Sequence, residues 1–239
     1  MKSKFYYYSI IFLTLSLFSF VNTGYAQNEE DYTSTITVTN IGLELTKNAL
    51  LTNNFDSAEK YSTLTTNFYG KNIQFLRAVN SDFSDDVHIK LLDLHSSILS
   101  KLDSKDLINQ IGQLQDTLTL IPLSGNSNII IDSLLSEADE QYQIAIQDDN
   151  LESYNLSLSL IEHSKIIFEQ NPGSDNRLKQ ELDSFFHDLH KLVSNKSDFV
   201  AVGNLITAIQ RDLIQTETIT INKTNIYSVI RNLYSELFT

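Results

Sequence analysis

The chain contains no cysteine and no tryptophan, and only two prolines and seven glycines in 239 residues. Without thiols there can be no disulfide, no thiolate metal site and no cysteine nucleophile. Stability must therefore come from packing. Proline breaks helix interiors and glycine weakens them, so their scarcity leaves long stretches free to be helical. Basic residues are few as well: 17 Lys and Arg stand against 30 Asp and Glu, a formal net charge of −13. They are scattered, with no basic patch and interleaved aromatics, which argues against nucleic acid as a ligand. An acidic field of this size also repels anionic lipid and concentrates cations. Neither a Gly-x-Ser-x-Gly elbow nor a Gly-rich phosphate loop occurs.

What is present begins with an address. Met1-Lys-Ser-Lys4 is a short basic segment, and Phe5 to Val21 is a run of 17 uncharged residues. Gly24 and Ala26 then supply small side chains at the −3 and −1 positions of a cleavage site. The pattern predicts a secretory signal over residues 1–26, cut before Gln27. If retained, the segment would be an anchor at the short edge of a spanning helix. Removing Lys2 and Lys4 leaves 15 basic and 30 acidic residues, near −15. Nothing downstream is apolar for long enough to span a bilayer. The expected location is extracellular, periplasmic or on the cell surface.

Residues 27–39, polar and β-branched, read as a flexible lead-in or short extended segment. From Asn40 a helical period takes over. Ile41, Leu45 and Ala49 form one stripe, and Phe55, Ala58, Tyr61 and Leu64 open the next. Val87, Leu91, Leu94 and Ile98 form a third; Leu107, Ile111, Leu114 and Leu118 form a fourth. Four more follow: Ile131 to Ala145, then Leu151, Tyr154, Leu158 and Ile161, then Leu178 to Leu192, then Phe199 to Leu213. Asn53-Asn54, Asn80-Ser-Asp82, Asp103–Asp106, Asp148–Asn150, Asn171–Asp175 and Asn195–Asp198 interrupt these stripes. Such residues bond local backbone groups and favour caps and turns.

Pro122 to Asn128 is the natural linker between two groups of four helices. Setting residues 48–64 against 144–160 pairs Ala49 with Ala145, Asn54 with Asn150, Ser57 with Ser153 and Leu64 with Leu160. A gap is then needed before the later helices match. The expected fold is all-α, with two tandem antiparallel four-helix-bundle-like repeats over 40–121 and 129–216. A C-terminal extension, 217–239, alternates like a short strand over 217–222 and carries a striped helix over 224–238. A superhelix of short helix pairs is the rival, but its 34-residue period is not sustained.

Leu134–Asp148 (LLSEADEQYQIAIQD), Tyr154–Phe168 (YNLSLSLIEHSKIIF) and Ile209–Leu213 (IQRDL) resemble the exported helical regions attached to oxidase-dependent iron permeases. Residues 49–61 (ALLTNNFDSAEKY) look like the same unit. The permease signature in a membrane helix, an Arg-Glu pair followed by a second Glu, is absent. The resemblance implies an exported helical domain and a link to iron, without transport activity or site residues.

Among the five histidines, Asp183, His187 and His190 are the one compact set. Spacings of four and three place them near one another on a helix flank, where imidazole and carboxylate suit a transition metal such as Zn, Cu or Fe. Glu162-His163 is weaker: Glu162 lies at the edge of an apolar stripe, but the Glu-x-x-His repeat of di-iron bundles is missing. The acidic runs at 82–86 and 137–140 lack the glycine and terminal Glu of a calcium loop. Asn155, Asn195 and Asn222 head glycosylation triplets. The expected function is that of an exported, non-enzymatic binding or scaffold protein acting on another envelope or extracellular protein. The alternative is an extracytoplasmic iron- or copper-handling module.

Overall fold

In a computed structural model of the chain, residues 31–120, 125–170 and 176–214 are described, and they form seven helices and no strand. The chain divides between Asn126 and Ser127 into two compact units. The signal segment, the break at 171–175, residues 122–124 of the linker and the 217–239 extension lie outside the described residues.

The first unit opens with α1, helical over 31–51. Residues 31–39 are thus neither flexible nor extended, and the lead-in read from their composition is corrected. Their hydroxyls are absorbed inside the helix: Thr35 donates to Asp31 O (2.7 Å), Thr37 to Thr33 O (2.8 Å) and Thr39 to Thr35 O (2.7 Å). Meanwhile Tyr32, Ile36 and Val38 are buried. β-Branched residues cost a helix well under 1 kcal/mol each, less than burying one apolar side chain returns.

The next helix, α2 (Phe55–Leu99), is interrupted at Asn80, whose φ of −152° and ψ of 96° are not helical. Here the chain reverses. Fifteen residues along an unbroken helix span about 22 Å, yet the Tyr69 hydroxyl donates to Ser84 O at 3.1 Å. His95 Nδ1 likewise lies 2.9 Å from Ser62 Oγ, so the arms 55–79 and 81–99 run antiparallel. Asn80 makes the turn by capping the second arm: its Oδ1 accepts from Phe83 N, and its carbonyl accepts from Ser84 Oγ. Arg77 bridges the corner to Asp85.

The last helix of the unit, α3 (Ser104–Thr119), presents Leu107, Ile111, Leu114 and Leu118, all buried. Each is worth about 1.5–3 kcal/mol of burial. Gln115 Nε2 returns to α1 by donating to Asn40 Oδ1 (3.1 Å).

The second unit contains α4 (Ser127–Gln147), α5 (Leu151–Gln170), α6 (Asn176–Ser194) and α7, over 199–214. Bonds from α4 to α7 and to the turn that precedes it run in opposite senses: Asn128 Nδ2 donates to Leu213 O, and the Tyr142 hydroxyl donates to Ser197 O. The stripe expected on α5 is rotated. Leu151 is 56% exposed and Ile161 is buried as expected, while the rest of the buried face is built from Glu152, Ser153, Leu156, Ser157, Leu160, Ser164 and Phe168. Small hydroxyl side chains let α5 close onto α4, with Ser157 Oγ donating to Ala138 O at 2.7 Å. A search for the largest apolar side chains overlooks such a face.

The same local devices occur in both units. After α1, Asn53 takes a φ of 56° and Asn54 Oδ1 accepts from Ser57 N; after α4, Asp149 takes a φ of 51° and Asn150 Oδ1 accepts from Ser153 N. Before α3, Lys101 has a φ of 50° and Asp103 caps Lys105 N. Before α7, Lys196 has a φ of 49° and Asp198 caps Val200 N. All four left-handed residues close helix C-termini. Gln210 of α7 donates to Ser136 Oγ of α4, as Gln115 does to Asn40.

Candidate functional site

The predicted ligand trio lies on α6. Asp183 is half-buried, and His187 and His190 are exposed. They are not drawn together: among the described residues, no group of three or more His, Asp or Glu side chains is placed to hold a metal ion. His190 turns instead toward α5, with Nε2 3.8 Å from Glu162 Oε1 and both side chains about half exposed. A solvent-screened contact of that kind contributes little. Glu162 therefore points outward rather than into the bundle, and His163 Nδ1 lies 2.9 Å from its own helix's Ser159 O. The 82–86 acids make local ion pairs: Asp85 with Arg77, and Asp86 with Lys90 at 2.7 Å.

His95 and Ser62 form a Ser–His contact that the sequence does not reveal. Ser62 is buried, and its hydroxyl also donates to Glu59 O at 2.8 Å. In that arrangement His95 Nδ1–H donates to Ser62 Oγ, the reverse of what activates a nucleophile. The pair fastens the two arms of α2.

One carboxylate is placed unusually. Asp139 sits in the α4–α7 seam with Oδ1 buried and unpartnered, while Oδ2 accepts from Gln143 Nε2 at 3.2 Å. Gly203 leaves the room: a Cβ there would stand 3.1 Å from Oδ1. Burial raises the Asp139 pKa above its ordinary 3.8, against the lowering effect of Gln143. The folded state thus holds this proton more tightly than the unfolded chain. The resulting stability is fully present below the unfolded pKa and is lost as pH rises through the folded one. Asp139→Asn, never charged, is expected to raise the urea midpoint at pH 7, because a neutral unpaired group costs less to bury than an anion. The advantage should shrink as pH falls toward 4. A variant less stable than the parent at pH 7 would refute this account.

Two surface features lie together on the second arm of α2. One is an open groove of about 310 Å³ against α3, lined by Lys90, Asp93, Ser97, Gln110 and Gln113 over Leu94 and Leu114. The other is a line of exposed apolar side chains: Ile89 (58%), Leu92 (47%) and Leu99 (50%). The arm thus has two apolar stripes, and only Val87, Leu91, Leu94 and Ile98 face the core. In the second unit the exposed apolar residues, Leu151, Ile166, Val200 and Ile214, are spread over α5 and α7. Among the described residues, no helix is long and apolar enough to cross a membrane. No family model, curated protein or solved structure matches this chain.

Proposed function

We propose that this is an exported, non-enzymatic helical binding protein, built from two duplicated four-helix units, that holds another protein of the envelope or extracellular space. The observation that carries the reading is the exposed Ile89–Leu92–Leu99 line. Apolar surface on a helix that already buries its other stripe costs solubility and is the usual mark of a contact site. Export is supported by the basic, apolar and small-residue order of residues 1–26. Duplication is supported by the matched turns and caps, and by buried positions that repeat at a shift of 95 residues: Leu91 with Phe186, Leu94 with Leu189, Ile98 with Val193, Leu107 with Val202.

The test is a photo-cross-linker placed at position 92 in the full chain, in its native envelope. A single dominant adduct, absent when the cross-linker replaces exposed Glu140, is expected. Equal labelling from both positions would refute a binding face. The metal-handling alternative has no comparable observation behind it. It requires a transition metal to raise the unfolding temperature, and Ala at both His187 and His190 to abolish that rise.

A further inference from the structure

Ile89, Leu92 and Leu99 are spaced by three and seven residues, which confines them to a sector of helix surface about 80° wide. Ser96 fills the remaining seam position, giving two heptads of a line that would face a second helix. The fold does not require apolar residues there. At the matching positions of α6, 95 residues on, stand Ser184, His187 and Ser194, all exposed. The same place in the second unit is therefore polar, and that unit still buries Leu182, Phe186, Leu189 and Val193 beneath it.

We propose that this face receives an amphipathic helix of another protein, one whose apolar seam is flanked by basic residues. The inference rests on the binding-protein reading above and adds the chemistry of the partner. Charge selects the occupant. Exposed Asp82 and Asp93 border the line, while Arg77 and Lys90 close by are paired with Asp85 and Asp86. A second copy of this chain would set the same carboxylates against each other, within a net charge of −13 per molecule. An anionic lipid surface is disfavoured by the same field. A basic-flanked helix satisfies both demands, apolar against apolar and cation against carboxylate. The line from Ile89 to Leu99 is about 15 Å long, which fits a short helix held transiently rather than an obligate interface.

The experiment uses the full chain without its signal segment and two designed 21-residue helical peptides. Both carry Leu at the seam positions; one has Lys at the flanking positions and the other Glu. Binding is followed by fluorescence anisotropy at about 0.1 M salt, a condition that leaves close charge pairs effective. The Lys-flanked peptide is expected to bind at least tenfold more tightly than the Glu-flanked one. It should also bind the parent at least tenfold more tightly than the variant Ile89→Ser, Leu92→His, Leu99→Ser, which takes the second unit's residues without adding an acid. The variant's unfolding midpoint should match the parent's, and Leu92→His alone is the fallback should the triple variant unfold. Equal binding to parent and variant would reduce the effect to nonspecific acidic attraction and overturn the proposal. So would equal binding of the two peptides, or no binding by either. A parent dimer that the triple variant dissociates would assign the face to a second copy instead. If the peptides fail while the position-92 adduct persists, the partner chemistry falls and the binding function stands; if the adduct also fails, both fall.

Discussion

Phe186→Ala is expected to destabilise the second unit by about 3–5 kcal/mol, the usual cost of emptying a phenylalanine site in a closed core. Phe186 has no exposed surface, and its ring packs against Phe168 at 5.6 Å between centroids, tilted by 30°. The pair ties α6 to α5 one turn from the buried Ser164, whose small side chain cannot fill the space a lost ring would leave. Phe185, next in sequence, is only half-buried, and Phe185→Ala should cost less than half as much. Hydrogen exchange reported separately for peptides of residues 127–214 and 31–119 would check both points. Protection should fall in the former set for Phe186→Ala and remain in the latter. Equal losses for the two phenylalanines would mean that the α6 core face has been assigned wrongly.

In the first unit the corresponding weak point is a glycine. Gly42 lies on the buried side of α1, and a Cβ there would run into Thr65 Oγ1 while lying 3.1 Å from Thr65 Cβ and 3.3 Å from its Cγ2. Thr65 cannot swing away freely, because it is buried and its hydroxyl donates to Tyr61 O at 2.7 Å. Gly42→Ala gains roughly 1 kcal/mol of helix propensity, but it forces α1 and α2 apart. Overpacking of this kind costs about 1–3 kcal/mol, and more where backbones must shift. The expected net loss is about 2 kcal/mol, several degrees in the midpoint of a unit this size. Thr65→Ala placed in the Gly42→Ala background should restore much of it, since Oγ1 and Cγ2 are then gone and only the Cβ at 3.1 Å remains. A double-mutant cycle with no coupling between the two sites would show that the helices do not meet there.

The legibility of this fold varies with the kind of signal. Turns were readable where a side-chain oxygen makes the turn: Asn54, Asn80, Asp103, Asn150 and Asp198 each accept a backbone N–H. Faces were readable on α3, α4 and α7, where large aliphatics carry the contact. They are less legible on α5, where serines share the contact with Leu156, Leu160, Ile161 and Phe168, and at the start of α1, where threonine hydroxyls are satisfied by the preceding turn. On the second arm of α2 the stripe Val87, Leu91, Leu94 and Ile98 is buried as expected, and what the sequence reading passed over is the second apolar line, Ile89, Leu92 and Leu99, on the exposed side. Sequence spacing also drew attention to Asp183, His187 and His190, since neighbours on a helix look like a site on paper. Whether a third helix supplies the missing ligand is a tertiary fact. Here α5 offers only Glu162, at 3.8 Å from His190.

The reversal at Asn80 also bears on how the first unit assembles. Its arms meet through pairs such as Tyr69 and Ser84, 15 residues apart, whereas Gln115 and Asn40, which close the bundle, are separated by 75. Loop-closure entropy grows with that separation, so the hairpin can form early and the closure of α1 on α3 must wait for it. Perturbing the Tyr69–Ser84 contact should therefore slow refolding. Perturbing Gln115 should leave refolding nearly unchanged and quicken unfolding.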